Sequence, residues 1–145
     1  MDLLDAALEY AKHGFKVFPC KLDKTPLTKR GFLDATTEEA TICEWWGEHP
    51  DASIGMPTSG YVVLDFDKGH GGLESMKAIE EKFGVLPKTR VHKTGGGGMH
   101  CIYSSPNGST IRNTVEWHGY KGVDIRAEGG YIILPPSPHP SGNPY

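Results

Sequence analysis

An apolar run that ends in two acids constrains the fold of this chain more than any other feature. Residues 61–67 read Tyr-Val-Val-Leu-Asp-Phe-Asp, and short apolar runs rich in β-branched and aromatic residues are typical of buried strands. Side chains alternate between the two faces of a strand, so Asp65 and Asp67 are expected to share one face while Phe66 points into the core. The chain is therefore expected to build a sheet with acidic groups at the end of a buried strand.

The rest of the chain after this strand predicts one helix and two hairpins. Apolar residues at three- and four-residue spacing predict a helix over residues 73–83, which Gly84 ends. Strands are predicted over 89–94 and 99–105, joined by four glycines, and a second hairpin follows them. The strands of that second hairpin are 123–126 and 131–134. This order predicts an α+β fold with a mixed or antiparallel sheet and a helix on one face.

The first 55 or so residues predict a smaller helical module. Apolar spacing predicts a helix over residues 2–13, and an apolar stretch predicts a strand over 15–18 that Pro19 ends. A basic loop follows, and then Thr36 and Glu39 have the spacing of a capping box, which predicts the start of a second helix. The inner side of that helix is expected to carry Ile42, Trp45 and Trp46.

Cysteine usage and hydropathy exclude several classes of protein. The three cysteines are far apart and show no Cys-x-x-Cys spacing, which argues against a disulfide framework and a structural zinc site. The first fourteen residues carry acids early and contain no long apolar run, so they predict neither a signal peptide nor a membrane span. The chain is expected to be soluble and cytoplasmic, with no membrane partner.

The charge balance bears on nucleic-acid binding. Lys and Arg number 15 against 18 Asp and Glu, a net charge of −3, which is not the basic footprint of a tight nucleic-acid binder. Two facts weaken this objection. Cations bound by acidic residues would cancel part of the negative charge, and basic residues cluster over 21–30 and 88–93.

The two acids of residues 65–67 suggest a metal site. Two carboxylates held side by side repel each other unless a cation lies between them, and a hard divalent ion such as Mg²⁺ or Mn²⁺ removes that repulsion. A pair of solvated acids at a strand end is the alternative.

A third acid lies in the segment Val-Asp-Ile-Arg, residues 123–126. Alternation places Asp124 and Arg126 on one face of the strand, and a guanidinium beside an acid suits a phosphate with its metal ions. The alternative is an Asp–Arg pair on the surface.

Four glycines precede a histidine that could bind phosphate. Residues 95–98 are all glycine and lead into Met99 and His100. Glycine lets backbone amides approach an anion closely, and His100 could donate to a triphosphate. A hairpin tip and a core histidine are the alternatives, and the spacing does not match a P-loop.

The order of these motifs resembles a known family, the bifunctional DNA primase/polymerase N-terminal domain of plasmid and phage replication proteins. It belongs to the archaeo-eukaryotic primase superfamily. The resemblance covers nearly the whole chain. The matching segments are ALEYAKHGFKVFP, the Lys24-Thr25-Pro26-Leu27 step, GFLDATTEEATICEWW, HPDASIGMPTSG, VVLDFDKGHGG, LPKTRVHKTGGGGMHCIY and VDIRAEGGYIILPPSPHPSG.

The resemblance implies a fold and a domain plan. It implies a primase-polymerase catalytic core over residues 1–145. A small N-terminal helical/αβ module of about residues 1–55 would pack on an RRM-like catalytic module of about residues 56–145. The family commonly continues past the matched segments, so the chain is expected to be a fragment of a larger replication protein, with a helicase domain as a possible neighbour in the parent chain.

The resemblance also implies roles for individual residues. Asp65, Asp67 and Asp124 match the metal-binding and catalytic acids, which would hold two ions of Mg²⁺ or Mn²⁺. Relatives are expected to show a Ser or Thr and two glycines before the histidine, whereas Met99 directly precedes it in this chain, which leaves Thr94 as the candidate hydroxyl. The residues implied in nucleotide binding are His100, Arg126, Thr94 and, as a weaker carry-over, Lys24.

These assignments predict a template-directed DNA primase and polymerase. Its partners would be a single-stranded DNA template, a primer and nucleoside triphosphates. Two other functions use similar residues. A metal-dependent nuclease or phosphohydrolase needs the same acids, because both chemistries are in-line displacements at phosphorus. A non-catalytic DNA-binding initiator module is the third interpretation.

Overall fold

A computed structural model of the chain describes residues 2–105 and 111–145. The α+β fold is confirmed: the described residues form three α-helices and two antiparallel sheets. The helices are α1 (Leu3–Lys12), α2 (Glu39–Glu48) and α3 (Gly72–Phe83). The strands are β1 (Phe18–Cys20), β2 (Ser53–Pro57), β3 (Tyr61–Phe66), β4 (Arg90–Lys93), β5 (Met99–Ser104), β6 (Val123–Arg126) and β7 (Tyr131–Leu134).

The chain divides into two compact units. The first contains the residues up to Pro57 together with Tyr131–Tyr145, and the second is Thr58–Gly130. The C-terminal segment, which the sequence grouped with the catalytic module, thus contributes its strand to the first unit through pairing of β7 with β2. The domain plan itself stays a prediction.

The first unit contains α1, α2 and a sheet with the strand order β1-β2-β7. Phe18, Cys20 and Ile133 form a buried cluster in it. The strand predicted over 15–18 is displaced, since β1 begins at Phe18 and includes Pro19. Proline cannot donate a ladder hydrogen bond, and β1 accommodates it because β1 is the end strand of this sheet.

The predicted capping box is wrong. Helix α2 begins at Glu39 after the N-cap Glu38, and no side chain caps it. The backbone N–H and C=O of Thr36 are both hydrogen-bonded to Val17, at 3.0 Å each. Thr36 is therefore held in an extended bridge, and its hydroxyl accepts from the N–H of Glu38 before the helix begins.

The second unit is a four-stranded antiparallel sheet with the order β4-β5-β3-β6 and the helix α3. Phe66, Ile79, Cys101 and Val123 form its buried cluster, which places α3 against the face that carries Phe66. The helix ends at Phe83, before Gly84, as predicted. The hairpin of β4 and β5 around the glycine run is confirmed.

The second predicted hairpin is wrong, because its two strands lie in different sheets. β6 pairs with β3, whereas β7 pairs with β2. The connecting residues are held by Thr58, which is fully buried. The hydroxyl of Thr58 donates to the carbonyl of Ala127 at 2.6 Å, and its N–H donates to the carbonyl of Gly130 at 2.9 Å. The segment after β6 is therefore tied to the start of β3 and does not close a two-strand turn.

Two expectations from composition can be compared with the fold. The cysteines Cys20, Cys43 and Cys101 are all free, as predicted. Within the described residues, no helix has the length and apolar character that crossing a membrane requires.

Candidate functional site

One row of side chains crosses the sheet of the second unit. Asp65 of β3 is directly opposite His100 of β5 and, on its other side, Asp124 of β6. His100 is in turn opposite His92 of β4. Residues directly opposite in antiparallel strands point to the same face. Four ionisable groups therefore share one face of the sheet, the face that Phe66 does not occupy.

A second row lies two residues along the strands on the same face. Arg90 is opposite Ile102, Ile102 is opposite Val63, and Val63 is opposite Arg126. Val63 and Ile102 are buried. The face therefore has an apolar centre in this row, with a guanidinium at each end of it.

His100 is buried beside Asp65. The Nε2 atom of His100 lies 3.5 Å from Oδ1 of Asp65, and the side chains are 8% and 23% exposed. The other ring nitrogen, Nδ1, is buried and has no hydrogen-bond partner among the described residues. A buried polar atom without a partner is uncommon and costly, so it marks a place where a ligand can bind.

Asp124 supports a loop with unusual backbone geometry. Its Oδ1 accepts from the N–H of Glu116 at 3.0 Å, and its Oδ2 lies 3.5 Å from Nη2 of Arg126. Glu116 and His118 have φ angles of 47° and 50°, a left-handed conformation that side chains rarely adopt. Such strain is often found at functional sites, and here it lies next to a predicted catalytic acid.

Asp67 does not lie in the strand, which ends at Phe66. It caps the short 3-10 helix Lys68–His70, and its carboxylate accepts from the N–H of Gly69 at 3.0 Å. The same carboxylate lies 2.8 Å from Nδ1 of His70. The side chain is therefore engaged locally, and it must turn away from His70 before it can join Asp65 and Asp124.

Glycines fix the backbone around Asp67. The N–H of Asp67 donates to the carbonyl of Gly122 at 2.8 Å, and its carbonyl accepts from Gly72 at 2.7 Å. A Cβ atom on Gly72 would lie 2.7 Å from the carbonyl oxygen of Asp67. A Cβ atom on Gly98 would overlap the carbonyl oxygen of Phe66. These close approaches between main chains require glycine.

The glycine run forms a closed turn. The N–H of Thr94 donates to the carbonyl of Gly98 at 3.0 Å, and Gly97 donates to the carbonyl of Thr94 at 2.9 Å. The N–H of Gly98 donates to the hydroxyl of Thr94 at 3.1 Å. Two amides that could have lined an anion cradle are thus used inside the turn. The hydroxyl of Thr94 accepts one of these bonds, and a hydroxyl can also donate.

Lys24 belongs to the first unit, whereas the other predicted site residues belong to the second. Its φ angle of 74° is left-handed. Its carbonyl accepts from the hydroxyl of Tyr131 at 2.7 Å, and its side chain is exposed. The roles that the sequence assigned to the predicted site residues stay predictions. These residues are Asp65, Asp67, Asp124, His100, Arg126, Thr94 and Lys24.

The donor chemistry of the site fits a hard divalent cation. Asp65 and Asp124 face each other across two paired strands, and directly opposed like charges are destabilising unless they are neutralised. Carboxylate oxygens are the ligands that Mg²⁺ prefers. Among residues 2–105 and 111–145, however, no group of three or more His, Cys, Asp or Glu side chains has gathered as a ligand set. The structure thus brings two of the three predicted acids together, and the third is turned aside.

Sequence reasoning missed the pair formed by Arg90 and His92. The Nε atom of Arg90 donates to Nε2 of His92 at 2.8 Å, and His92 is buried. His92 is not among the site residues expected from the sequence. The available signal was the glycine run itself, since residue 92 lies three residues before Gly95 and residue 100 two residues after Gly98, and a hairpin around the run pairs them.

The pH dependence of stability should report on His92. Burial, followed by the charges of Arg90 and His100, lowers the pKa of His92 from 6.5 to about 4. The unfolded chain therefore binds a proton that the folded chain excludes, and stability is lost as the pH falls below about 6.5. The free energy of unfolding is expected to fall by about 2 kcal/mol between pH 7 and pH 5 from this group.

Urea unfolding at the two pH values measures this loss. His92→Gln cannot titrate and retains an acceptor, so its stability should change less than that of the wild type over the same interval. Equal pH dependence in the two proteins would show that His92 is not the group responsible.

Comparison with known proteins identifies a family for this chain. The family model of the bifunctional DNA primase/polymerase N-terminal domain matches residues 7–145, almost the whole chain. A comparison of the sequence with curated proteins found no match. Because this match covers almost the whole chain, the chain belongs to the family of bifunctional DNA primase/polymerase N-terminal domains.

Proposed function

We propose that this domain is a template-directed DNA primase and polymerase that transfers nucleotides from nucleoside triphosphates. The observation that carries the proposal is the facing pair of Asp65 and Asp124, with His100 and Arg126 on the same face of the sheet. Membership of the primase/polymerase family supports the same class of activity.

The acids of the face would hold two divalent ions, Mg²⁺ or Mn²⁺. Asp65 and Asp124 supply carboxylates from neighbouring strands, and Asp67 would join them when it releases His70. When bound, such ions activate the attacking 3′-hydroxyl and stabilise the leaving pyrophosphate. The protein contributes rigid placement, because Asp65 and Asp124 are fixed by strand pairing and the backbone of Asp67 is fixed by Gly72 and Gly122.

The basic groups would neutralise the triphosphate. His100 is held next to Asp65 and has a buried Nδ1 without a partner among the described residues, so it is suited to donate to a phosphate oxygen. Arg126 lies at the edge of the same face, and a guanidinium binds phosphate bidentately. Positive charge placed where the transition state becomes more negative lowers the activation barrier of nucleotide transfer. Thr94 would contribute its hydroxyl, and Lys24 would contact a phosphate or the template.

A primer-synthesis and primer-extension assay tests the proposal. Labelled single-stranded DNA, with and without an annealed primer, is incubated with nucleoside triphosphates and either Mg²⁺ or Mn²⁺. We expect extension of the primer that stops when the ions are removed by a chelator. Incubation without nucleotides is the control for the nuclease interpretation. Shortening of the labelled strand in that control, with no extension in the complete reaction, would contradict the proposal.

The non-catalytic interpretation makes a different prediction. A DNA-binding initiator module has no need for a cation at the sheet face that carries Asp65 and Asp124, the carboxylate face. A polymerase does need one, so the proposed function predicts that calorimetry detects deoxynucleoside triphosphate binding that depends on Mn²⁺. Absence of this binding would favour the initiator module.

The remaining partners follow from this activity. The DNA partners would be a single-stranded template and a primer, and a helicase domain in the same parent chain would supply the unwound strand. Such a protein would act in the cytoplasm, where plasmid and phage DNA is copied.

A further inference from the structure

A buried histidine fixes the orientation of an exposed arginine on the carboxylate face. Arg90 and His92 are two residues apart on β4 and therefore point to the same side. The Nε atom of Arg90 donates to Nε2 of His92 at 2.8 Å. His92 is 8% exposed, whereas Arg90 is exposed to solvent. An otherwise flexible side chain is thus bound to a rigid acceptor.

This pair lies on the side of the sheet that carries the acids. β4 is separated from β3 by β5 alone, and neighbouring strands lie about 4.8 Å apart, so the two strands are about 10 Å apart. Arg90 therefore does not lie on the strand next to Asp65. It lies on the same face two strands away, where a ligand that begins at Asp65 and extends across the sheet would reach it.

The row between Arg90 and Arg126 has a buried apolar centre, since Ile102 is 5% exposed and Val63 is 0% exposed. The two arginines occupy the ends of one row, and Ile102 and Val63 fill its centre. A ligand would therefore contact this row at its guanidinium ends, and phosphate is the anionic group that nucleotides and DNA offer there.

His92 can hold Arg90 only while Nε2 is unprotonated, because a protonated ring nitrogen is a donor and cannot accept. Burial and the positive neighbours keep the pKa of His92 near 4. His92 therefore accepts from Arg90 throughout the neutral range. The guanidinium of Arg90 carries its N–H donors in a planar fork that is suited to phosphate.

We propose that Arg90 binds a phosphate group of the substrates, on the nucleoside triphosphate or on the DNA strand, and that neutral His92 is its positioning residue. The inference rests on the proposed function, because the carboxylate face is taken as the place where nucleotide and DNA meet. It adds an anion contact on β4 that the sequence motifs did not assign.

The first test compares two variants that remove one positive charge from the same strand. Arg90→Ala changes the carboxylate face, whereas Lys93→Ala changes the opposite face, since Lys93 alternates with His92 and pairs with Met99. We expect Arg90→Ala to weaken binding of its phosphate ligand by about tenfold or more, as loss of a charge-assisted hydrogen bond does. Lys93→Ala should stay within about twofold of the wild type.

Two affinity measurements, the binding arms of the test, identify the ligand that supplies the phosphate. One measures the affinity for a nucleoside triphosphate with Mn²⁺, and the other measures the affinity for a primer–template without nucleotide. A loss in the first arm assigns Arg90 to the triphosphate, and a loss in the second assigns it to the strand. Unchanged affinity in both arms, or equal losses in Arg90→Ala and Lys93→Ala, would overturn the proposal.

The positioning role of His92 has its own test. His92→Gln retains an acceptor and should retain most of the affinity, whereas His92→Phe should lose about as much as Arg90→Ala. The double variant of Arg90→Ala with His92→Phe should lose no more than Arg90→Ala alone, because both changes remove one contact. Additive losses would show that His92 acts separately from Arg90. Where His92→Phe does not fold, a loss in His92→Gln as large as that in Arg90→Ala contradicts the role.

Failure of the proposed function can be told apart from failure of this inference. A wild-type protein that binds nucleotide or DNA but extends no primer contradicts polymerase activity, and Arg90 is still tested by the binding arms. A wild-type protein that extends primers and is unaffected by Arg90→Ala contradicts the inference alone.

Discussion

Asp65→Asn is expected to reduce nucleotide addition by about 10³-fold or more while leaving the fold intact. Asp65 lies between His100 and Asp124 in the row that crosses the sheet, so the substitution removes the central charge of the proposed site. Loss of a single electrostatic stabiliser commonly costs 10² to 10³-fold in rate, and a metal ligand should matter at least as much. Single-turnover extension of a labelled primer measures the effect.

The stability of the same variant provides a second readout. Asp65 directly faces Asp124 across β3 and β6, and opposed like charges destabilise a sheet. Without divalent ions, Asp65→Asn is therefore expected to be as stable as the wild type or more stable by up to about 1 kcal/mol. Lost activity in an equally stable protein separates a functional role from a structural one.

Asp51→Asn is the matched control, since Asp51 is exposed and belongs to the first unit. It should retain full activity and unchanged stability. An Asp65→Asn protein that keeps more than a tenth of wild-type addition would contradict the assignment of Asp65.

Gly98→Ala is expected to destabilise the second unit by about 3 kcal/mol or more. A Cβ atom at this position would overlap the carbonyl oxygen of Phe66 and lie 3.2 Å from the N–H nitrogen of Lys68. Phe66 cannot move to relieve the overlap, because β3 is paired on both sides, with β5 and with β6. The midpoint of urea unfolding should fall accordingly, and primer extension should fall with it.

Gly96→Ala is the control for that substitution. Gly96 lies in the same turn, and nothing lies within 4 Å of the position that its Cβ would take. Its effect should be below about 1 kcal/mol. Equal stability of the two alanine variants would show that the approach of Gly98 to β3 is not required for folding.

Much of the carboxylate face could be predicted from sequence, because it depends on alternation. The pattern of residues 61–67 placed Phe66 in the core and Asp65 on the other face, and β3 has this arrangement. The pattern of Val123–Arg126 placed Asp124 and Arg126 together, and their side chains lie 3.5 Å apart. Local alternation decides which side of a strand a residue occupies, whatever the strand pairs with.

Strand partners were less predictable, since they depend on contacts distant in sequence. The segments around Glu128 looked like a hairpin, yet β7 joins β2, and buried Thr58 fixes the chain between β6 and β7. Likewise, pairing with Val17 prevents Thr36 from capping α2. In both places a hydrogen bond from a remote segment outweighs the local preference.

The orientation of Asp67 and the pairing of Arg90 with His92 also required the structure. The strand was expected to continue through Asp67, but a hydrogen bond from Gly122 and the short helix after Phe66 turn its carboxylate toward His70. His92 reaches the site face only through the register of β4 and β5. Neither the turn of Asp67 toward His70 nor the position of His92 on the site face has a local sequence signal.

Addition of a single nucleotide opposite each of the four template bases tests the proposed activity most directly. A labelled primer is annealed to four templates that differ in the first unpaired base, and each is incubated with one nucleoside triphosphate and Mn²⁺. The account predicts that the wild-type protein adds the complementary nucleotide preferentially and that Asp65→Asn adds none at detectable rate. Addition that ignores the template base, or that is equal in the two proteins, would contradict a template-directed transferase at the face of Asp65 and Asp124.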